Sequence, residues 1–390
     1  MARVALLVAH MSKGGMQKCM SNFSLAMSGK VDHDILYFGT ENPGFPFAGR
    51  QVDLNIEGSK TSSNRKRLLN FFKRCKKLRK HIQENHIDTV ISYGEVANIV
   101  NVLVPKKRTI LAVQVDLQRS FAPGWYGKMY RFLVTLLYRR ADVVVAISES
   151  IARDLMETFH VPEHKVVSLC NIYDFEKVLE DSKVALTPDT EVLFKDPVVI
   201  NIANLNQQKG QKHLINAFSR AKRAVPNLQL VIIGRGAQEQ PLKKHVIDMG
   251  LESSVHFFGF QANPYKYLSR AKVFALTSLY EGIPTIVIEA LLLGIPVIST
   301  DCKTGPREIL EDSEYGILVP DITDNNAAEV EDIVGKHIIS LVSEHQKHDH
   351  YAEMAKQRAK FYAPEKRLEE WLKIMDISQE TGTSQTGTPG

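Results

Sequence analysis

The chain has 390 residues, of which 44% are hydrophobic and 24% are charged, and this composition excludes a disordered, collagen-like or disulfide-scaffold protein. The length predicts two domains of ordinary size. The first 180 residues hold 26 Lys and Arg against 17 Asp and Glu, so the N-terminal half is basic although the net charge of the chain is only +5. A basic half predicts an anionic partner.

The beginning of the chain predicts neither a leader nor a membrane span. A strand-like run, Val4–Ala9, follows Arg3 at once, and no small-residue cleavage site comes after it. The longest apolar runs are interrupted well short of the roughly 20 residues that a spanning helix needs. The four cysteines lie far apart and show no metal-ligand spacing, as in proteins with reduced thiols. We therefore expect a cytoplasmic protein.

Short runs of β-branched and apolar residues alternate with longer helical patterns through the first half. Most of these runs are continuously apolar, which is typical of strands in a parallel sheet that is covered on both faces. The alternation predicts a doubly wound α/β domain over residues 1–178. The predicted strands are Val4–Ala9, Asp34–Phe38, Thr89–Ser92, Thr109–Val115, Val143–Ile147 and Val166–Leu169.

A strongly basic helix is predicted over Arg65–Ile82. Residues spaced three and four apart form one apolar stripe along it, namely Leu68, Phe71, Cys75, Leu78 and Ile82. Nine cations and no acid surround the stripe, and like charges on one helix repel one another unless an anion offsets them. We expect the cations to face an anionic membrane surface. They are Arg65, Lys66, Arg67, Lys73, Arg74, Lys76, Lys77, Arg79 and Lys80.

This basic surface has competing interpretations. Lys106–Arg108 and Trp125–Arg140 could extend it, because the second segment combines cations with Tyr, Phe and Leu. Nucleic acid or a polyanionic glycan would attract the same charges, but no aromatic platform or nucleic-acid-binding motif accompanies them. The pattern therefore favours a peripheral protein on the inner face of the cell membrane that uses a lipid-linked acceptor, and not a nucleic-acid-binding protein.

The pattern breaks over residues 179–197, which are mixed and polar with two prolines and are predicted to be a linker. A second alternating series over residues 198–363 predicts a second Rossmann-like domain. A C-terminal helix is expected over 364–377, returning to the first domain, and a disordered tail over 378–390. The predicted strands of the second domain are Val198–Ala203, Gln229–Ile233, Val255–Phe258, Val273–Leu276, Pro296–Ser299 and Gly316–Val319.

The strongest chemical signal is the segment from Glu281 to Glu289, EGIPTIVIE, which follows a predicted strand and opens an apolar helix. Pro284 suits the first turn of a helix, so the backbone N–H groups of Thr285 and Ile286 are expected to be free for an anion such as a diphosphate. Gly282 permits close approach of a ligand. Because a glutamate inside an apolar helix is costly to bury without a purpose, Glu289 is predicted to bind hydroxyl groups.

Several segments together resemble the retaining glycosyltransferases of family four, a group 1 glycosyltransferase family with the GT-B fold, in which two Rossmann-like domains face each other across a cleft. The two glutamates of EGIPTIVIE and the following ALLLGIPVISTD resemble the donor-site signature of the family. The resemblance extends over roughly residues 3–375 and is most specific in the second half. The other matching segments are Gly14-Gly15, Ala141-Asp142, Ile147–Ser150, Asn171–Asp174, Lys209-Gly210, Gly305–Ile309 and Tyr315–Pro320.

The resemblance implies a role for each matching residue. Lys209 would neutralise the donor diphosphate, Glu281 would contact the transferred sugar, and Glu289 would bind the ribose hydroxyls. The implied catalytic residues are Glu281, Lys209, Asp116 and Gln114. The implied donor-binding residues are Gly14, Gly15, Asn204, Lys209, Gly234, Gly259, Phe260, Gly282, Ile283, Pro284, Thr285, Ile286 and Glu289. No metal site and no cofactor is expected, because lysine and helix N-termini supply the positive charge.

Two positions depart from the family pattern. Ala203-Asn204 stands where the family usually has Gly-Arg, so one cation at the diphosphate is missing unless Arg235 or Arg307 replaces it. Gln114 stands where the family often has histidine, and glutamine cannot act as a general base although it can hydrogen-bond a sugar hydroxyl.

The sequence thus predicts a retaining hexosyltransferase that moves a hexose or N-acetylhexosamine from a nucleotide diphosphate sugar, with UDP favoured, to a lipid-linked or polysaccharide acceptor in cell-surface glycan synthesis. The alternative is a catalytically weak nucleotide-sugar-binding subunit of a glycan-assembly complex. A nicotinamide-dependent oxidoreductase is disfavoured, because Gly234-Arg235-Gly236 is only a fragment of a dinucleotide glycine loop.

Overall fold

A computed structural model describes residues 3–11, 15–39, 44–56, 64–115, 117, 125–302 and 305–376. The chain forms two compact units. The first unit contains the chain up to Ile147, Ile151–Tyr173 and the chain from Pro364 onward, and the second contains Ser148–Ser150 and Asp174–Ala363. No helix among the described residues is both long and apolar enough to cross a membrane.

The first unit is built on a seven-stranded parallel sheet with the strand order β3-β2-β1-β4-β5-β6-β7. Its strands are β1 (Val4–Val8), β2 (His33–Tyr37), β3 (Arg50–Asp53), β4 (Thr89–Tyr93), β5 (Arg108–Val113), β6 (Val143–Ala146) and β7 (Val166–Ser168). Its helices are α1 (Gly15–Met27), α2 (Asn64–Glu84), α3 (Glu95–Leu103), α4 (Trp125–Leu137) and α5 (Glu149–Glu157).

The second unit is built on a six-stranded parallel sheet with the strand order β10-β9-β8-β11-β12-β13. Its strands are β8 (Val198–Ile202), β9 (Gln229–Ile233), β10 (Val255–Gly259), β11 (Val273–Leu276), β12 (Val297–Thr300) and β13 (Ile317–Val319). The helices that follow α5 are α6 (Phe175–Ser182), α7 (Pro188–Leu193), α8 (Gln211–Ala224), α9 (Glu239–Asp248), α10 (Tyr265–Leu268), α11 (Thr285–Leu292), α12 (Pro306–Leu310), α13 (Ala327–Ser343), α14 (His345–Ala359) and α15 (Pro364–Ile374).

The central strands are apolar on both faces because helices cover both sides of each sheet. In β1, Leu6 belongs to a core cluster with Phe23, whereas its neighbour Leu7 belongs to a different cluster with Phe38. Successive side chains of a strand point to opposite faces, so the two clusters lie on opposite sides of the sheet. This double burial explains why the strands are continuous apolar runs in the sequence.

The predicted α/β fold of two Rossmann-like domains is confirmed, and most strand ends differ from the prediction by one or two residues. One strand, β3, was not predicted, because Arg50–Asp53 has the sequence RQVD and forms an exposed edge of the sheet with one apolar residue. The segment predicted as a linker contains part of α6 and all of α7. The predicted tail, residues 378–390, lies outside the described residues.

The last helix, α15, packs in the core of the first unit. Trp371 is almost fully buried, and its ring centroid lies 4.7 Å from that of Phe23 in α1. Leu368, one turn earlier, and Leu372, the next residue, join the same cluster. The C-terminal end of the chain therefore completes the hydrophobic core of the N-terminal sheet.

We predict that Trp371→Ala lowers the free energy of unfolding by about 3–5 kcal/mol, because it removes a buried aromatic side chain and leaves a cavity in the core. Urea titration followed by circular dichroism measures the change. Phe132→Ala, at a position that is 65% exposed, is the matched control and should change stability by less than about 0.5 kcal/mol. Equal losses in the two variants would contradict the packing described for α15.

Candidate active site

The loops that follow the strands of the second sheet lie along one edge, because all strands of that sheet are parallel. In open α/β sheets ligands bind at this carboxyl edge. Most of the predicted donor-binding residues lie in the loops after β8, β9, β10 and β11. The fold therefore collects residues that are up to about 85 positions apart in the sequence at one edge of one unit.

An ion pair connects two of these loops. The Nζ atom of Lys209, after β8, donates to Oε1 of Glu281, after β11, at 2.5 Å. The hydroxyl of Ser278 donates to the same carboxylate oxygen at 2.6 Å. The side chain of Glu281 is 6% exposed and that of Lys209 is 19% exposed, so both charges are largely shielded from solvent. Lysine has three N–H donors, and this pair uses one of them.

Backbone geometry fixes the position of Lys209. It ends a short 3₁₀ turn, Gln207–Lys209, whose preceding residue Asn206 accepts the Lys209 N–H on its side-chain oxygen at 3.1 Å. Gly210 follows with a φ of +60°, and a Cβ there would lie 2.1 Å from the carbonyl oxygen of Thr277. The Thr277 hydroxyl in turn donates to the Gly210 carbonyl at 3.0 Å. A side chain at position 210 would therefore separate the two loops.

Two hydrogen bonds from residues at and just after the end of β12 also hold the backbone of the loop after β11. The hydroxyl of Thr300 and the thiol of Cys302 both donate to the carbonyl oxygen of Ser278, at 2.6 and 3.1 Å. Burial raises the pKa of the Cys302 thiol to about 11. Cys302 therefore stays protonated near neutral pH and supports the loop, as a structural cysteine does, rather than acting as a nucleophile.

The N-terminus of helix α11 borders the same loop. The helix begins at Thr285, and Pro284 is its N-cap residue with a ψ of 98°, so the proline precedes the first turn instead of lying in it as predicted. Thr285 and Ile286 hold the first two N–H groups, which have no partner within a helix. The positive end of the helix dipole lies there as well. This arrangement suits a phosphate or another anion.

Two glycines near this helix end have different requirements. Gly305 has a φ of +72°, and a Cβ there would lie 1.6 Å from the carbonyl oxygen of Gly282, so only glycine fits. A Cβ added to Gly282, in contrast, would have no atom within 4 Å apart from its chain neighbours. The space in front of Gly282 is therefore open, as expected at a position where a ligand approaches the backbone.

Glu289 lies in the second turn of α11 and is buried. One of its carboxylate oxygens accepts a hydrogen bond from the hydroxyl of Tyr265 in α10 at 2.8 Å. Sequence reasoning missed Tyr265, because a tyrosine 24 positions away on another helix carries no local signal. The hydrogen bond orients the Glu289 carboxylate and satisfies part of its hydrogen-bonding capacity.

The loops after β8 and β9 touch through their backbones. A Cβ at Gly234 would lie 1.8 Å from the carbonyl oxygen of Ala203, which explains the glycine at this position. The next residue, Arg235, places its guanidinium carbon 5.0 Å from the ring centroid of Phe260, just after β10. The Phe260 ring is 64% exposed. Together these two side chains form an exposed cation–π pair beside the loops.

The two arginines considered as substitutes for the missing cation differ in their surroundings. Arg307 forms hydrogen-bonded ion pairs with Asp301 and Asp312, so its charge is already neutralised. Arg235 stacks on Phe260 and is exposed. Asn204, which stands where the family usually has the arginine, is exposed as well. Arg235 is therefore the better candidate to supplement Lys209.

In the first unit, the structure describes only part of the predicted site. Gly15 begins α1 directly after the β1 loop and is exposed, whereas Gly14 and Asp116 lie outside the described residues. The side-chain amide of Gln114 exchanges two hydrogen bonds, at 3.0 and 2.9 Å, with that of Asn171. This reciprocal pair fixes the orientation of Gln114 at the end of β5.

The basic helix α2 differs from its prediction in three respects. Leu78 and Ile82 are buried as predicted and Phe71 and Cys75 pack beside them, but Leu68 is exposed and does not belong to the buried stripe. Arg74 is half-buried, with its guanidinium 5.2 Å from the ring centroid of Phe38. The nine cations are also not all uncompensated, since Lys77 donates to the carbonyls of Leu54 and Asn55 and Lys80 lies 3.6 Å from Glu84.

Lys106, considered as an extension of the basic surface, is instead an internal residue. Its Nζ donates to the carbonyls of Asn101 and Val104 at the end of α3. Burial lowers its pKa to about 8. Its charge therefore caps a helix C-terminus and is not available to a membrane.

No group of three or more His, Cys, Asp or Glu side chains placed to hold a metal ion occurs in the described ranges.

Comparison with known proteins covers both units. The family described as "Glycosyltransferase Family 4" matches residues 13–177, and the family described as "Glycosyl transferases group 1" matches residues 188–358. An uncharacterized glycosyltransferase of Methanocaldococcus jannaschii is 32% identical over 337 residues, which cover 78% of this chain and 83% of that protein.

Two further similar proteins carry more specific names. An N-acetylgalactosamine-N,N'-diacetylbacillosaminyl-diphospho-undecaprenol 4-alpha-N-acetylgalactosaminyltransferase of Campylobacter jejuni is 31% identical over 63% of each chain. The crystal structure of HepE from Anabaena in complex with UDP and glucose superposes with a TM-score of 0.75 over 96% of this chain and 100% of that chain, at 17% identity. The structural match shows that the fold is shared.

We predict that Lys209→Met lowers the free energy of unfolding by about 3 kcal/mol, because it leaves the buried Glu281 carboxylate without its cation. Glu281→Gln in the same chain removes the unpaired charge, so the double variant should be more stable than Lys209→Met alone. Urea titrations of the wild type, both single variants and the double variant give the coupling energy, with the exposed Lys212→Met as the control. Strictly additive effects would show that the two side chains do not form a pair in solution.

Proposed function

We propose that this chain, which belongs to the group 1 glycosyltransferases and has the GT-B fold, transfers a hexose or N-acetylhexosamine from a UDP-linked donor with retention of configuration. The arrangement of Lys209, the N-terminus of α11 and the open position at Gly282 supports this proposal most directly. It combines a cation, backbone donors and free space, which are the requirements of a sugar diphosphate.

The donor diphosphate would lie against the first N–H groups of α11, at Thr285 and Ile286. Lys209 would add a cation whose remaining N–H donors reach the phosphate oxygens, while Glu281 keeps the side chain in place. Arg235 is the candidate for a second cation. These groups stabilise the negative charge that develops on the leaving diphosphate, and they are already held in position before the reaction.

The sugar and the nucleoside would lie on either side of the diphosphate. Glu281, Gly282, Ile283 and Pro284 would contact the transferred sugar. Glu289, oriented by Tyr265, would accept hydrogen bonds from the ribose hydroxyls. The base would lie beside Gly259 and the exposed ring of Phe260, near Gly234 and Asn204.

Retention is proposed to follow front-face displacement. The bond between the sugar C1 and the leaving phosphate oxygen breaks, a bond from C1 to the acceptor oxygen forms on the same face, and the acceptor proton passes to the leaving phosphate oxygen. Glu281 accepts hydrogen bonds from Lys209 and Ser278, which makes its carboxylate a weak nucleophile. The protein would then contribute mainly positioning and charge stabilisation, with Gln114 and Asp116 on the acceptor side.

A lipid-linked acceptor is proposed, with the enzyme peripheral on the cytoplasmic face of the membrane. The Campylobacter relative is named for an acceptor linked to diphospho-undecaprenol. In this chain, Leu69 and Phe72 of α2 are each 60% exposed, and Phe132 of α4 is also exposed. Burial lowers the pKa of Arg74 in α2, and Tyr130 of α4 lies near enough to offset part of that shift, so the two helices are neighbours. Exposed apolar side chains among cations are typical of surfaces that bind anionic membranes.

A nucleotide-sugar-binding subunit with weak catalysis is the second candidate. The observation in its favour is the amide pair of Gln114 with Asn171, because Gln114 cannot take up a proton and already has partners. A screen of UDP, UDP-glucose, UDP-galactose and their N-acetylamino forms, with UDP release measured in the presence of membrane lipids, separates the candidates. Binding followed by UDP release supports the transferase, and binding without release supports the second candidate.

We predict that Gly282→Ala weakens binding of the sugar donor about tenfold or more while it leaves the melting temperature unchanged. The added methyl group enters space that is empty in the protein and that the donor would fill. Calorimetric titration with UDP-sugar and a thermal melt measure the two quantities. Gly305→Ala, whose Cβ would collide with the Gly282 carbonyl, should instead lower the melting temperature. Undiminished donor binding in folded Gly282→Ala would remove Gly282 from the site.

We predict that donor binding and transfer persist in excess EDTA, because Lys209 and the α11 N-terminus supply the positive charge that a divalent ion would otherwise provide. UDP-sugar titration with and without EDTA, followed by addition of Mg²⁺ or Mn²⁺, measures this. Activity that EDTA abolishes and a divalent metal restores would contradict the prediction.

We predict that the protein sediments with vesicles that contain phosphatidylglycerol and not with vesicles of phosphatidylcholine alone, and that salt reduces binding. Leu69→Ser/Phe72→Ser should weaken vesicle binding roughly tenfold or more, because two exposed apolar side chains no longer enter the lipid. Val192→Ser/Ile247→Ser, at comparably exposed positions of the second unit, is the matched control. Recovery in the supernatant with both vesicle types at low salt would favour a soluble acceptor.

A further inference from the structure

A pocket of about 520 Å³ lies beside helix α2 in the first unit, and none of its lining residues belongs to the candidate donor site. Four lysines line one side of it, and the loop after β3 lines the other. The complete lining is Asn55, Ile56, Asn70, Lys73, Lys76, Lys77 and Lys80. The lysines are spaced three and four residues apart, so they stand on one face of the helix over two turns.

The positive charge in this pocket is only partly neutralised. Glu84 lies 3.6 Å from the ammonium group of Lys80. Lys73 and Lys76 have no acidic partner within the described part of the chain, and both are exposed. Like charges one turn apart destabilise a helix, so the arrangement of four lysines opposes folding unless an anion binds among them.

One lysine is held in place by the wall of the pocket. The Nζ atom of Lys77 donates to the carbonyls of Leu54 and Asn55 at 2.6 and 3.1 Å. Two of its three N–H donors are thereby used, and the charge is fixed beside the loop. Asn55 adopts a φ of 49°, the left-handed conformation that asparagine tolerates. The pocket therefore has one cation, Lys77, that is fixed beside its loop before any ligand binds.

We propose that this pocket binds a phosphate or diphosphate group. Compact ammonium groups on flexible stems bind phosphate oxygens as point charges, without the planar match that a carboxylate and an arginine make. Three or four cations around one pocket correspond to the charge of a diphosphate better than to a single carboxylate. This inference rests on the proposed function in one respect, namely that the diphosphate would belong to a lipid-linked acceptor.

Calorimetric titrations of the wild type and of a pocket variant test the proposal, because Lys73 and Lys76 line the pocket and do not belong to the candidate donor site, so their loss affects the pocket alone. The probes are inorganic pyrophosphate, geranyl diphosphate and vesicles that contain phosphatidylglycerol. The test variant is Lys73→Gln/Lys76→Gln. The matched control is Lys30→Gln/Lys107→Gln, which removes two exposed charges from the same unit outside the pocket.

We expect the test variant to bind both soluble diphosphates roughly 30-fold more weakly than the wild type and the control variant to bind them normally. Tighter binding of geranyl diphosphate than of pyrophosphate identifies a lipid-linked diphosphate as the source, and equal binding identifies the phosphate group alone. Equal affinities of the test and control variants would overturn the proposal. The proposal would also be overturned if the test variant lost vesicle binding but kept its affinity for both soluble diphosphates. The two lysines would then only attract a charged surface.

The same titrations distinguish this proposal from the proposed function. UDP binding to the wild type and to Lys73→Gln/Lys76→Gln is measured first, and the UDP binding that the variant retains is assigned to the candidate donor site of the second unit. A protein whose UDP binding and pyrophosphate binding are both lost in Lys73→Gln/Lys76→Gln would refute the donor assignment and retain the pocket.

Discussion

The ion pair between Lys209 and Glu281 is the interaction on which the candidate active site depends. It joins the loops after β8 and β11, two neighbouring strands of the second sheet, and both side chains are shielded from solvent. A charge so placed needs its partner, because an unpaired buried charge is strongly destabilising. The hydrogen bonds of Thr277, Ser278 and Thr300 then fix the backbone around the pair. The protein thus holds a cation beside the N-terminus of α11 before any ligand arrives.

The two units contribute different chemistry. The second unit provides the cation, helix N-terminus and buried carboxylates that suit a nucleotide diphosphate sugar, and the first unit provides the basic helix α2. The exposed Leu69 and Phe72 lie on α2 together with the lysine pocket, so a surface that suits lipid and a site that suits phosphate occur on one helix. This combination is what a lipid diphosphate acceptor requires.

Much of this organisation was predictable because periodicity and loop motifs are local properties. Continuous apolar runs indicated the parallel strands, and the spacing of Glu281 and Glu289 indicated the helix end between them. Contacts between distant residues had no such signal, as the hydrogen bond from Tyr265 to Glu289 and the pair of Gln114 with Asn171 illustrate. The edge strand β3 was missed because three of its four residues are polar and exposed. Likewise, charge composition suggested that all nine cations of α2 lack partners, whereas Lys77 has carbonyl partners that only the fold supplies and Lys80 pairs with Glu84, which lies just beyond the predicted end of the helix.

We propose that the N-terminus of α11 binds the diphosphate of the donor. Amide NMR spectra of the ¹⁵N,²H-labelled protein, titrated with UDP and separately with uridine, test it most directly, because a phosphate that accepts a backbone hydrogen bond shifts the amide proton of its donor. We expect downfield shifts for the amide protons of Thr285 and Ile286 with UDP and not with uridine. UDP binding that leaves both amides unshifted would contradict it.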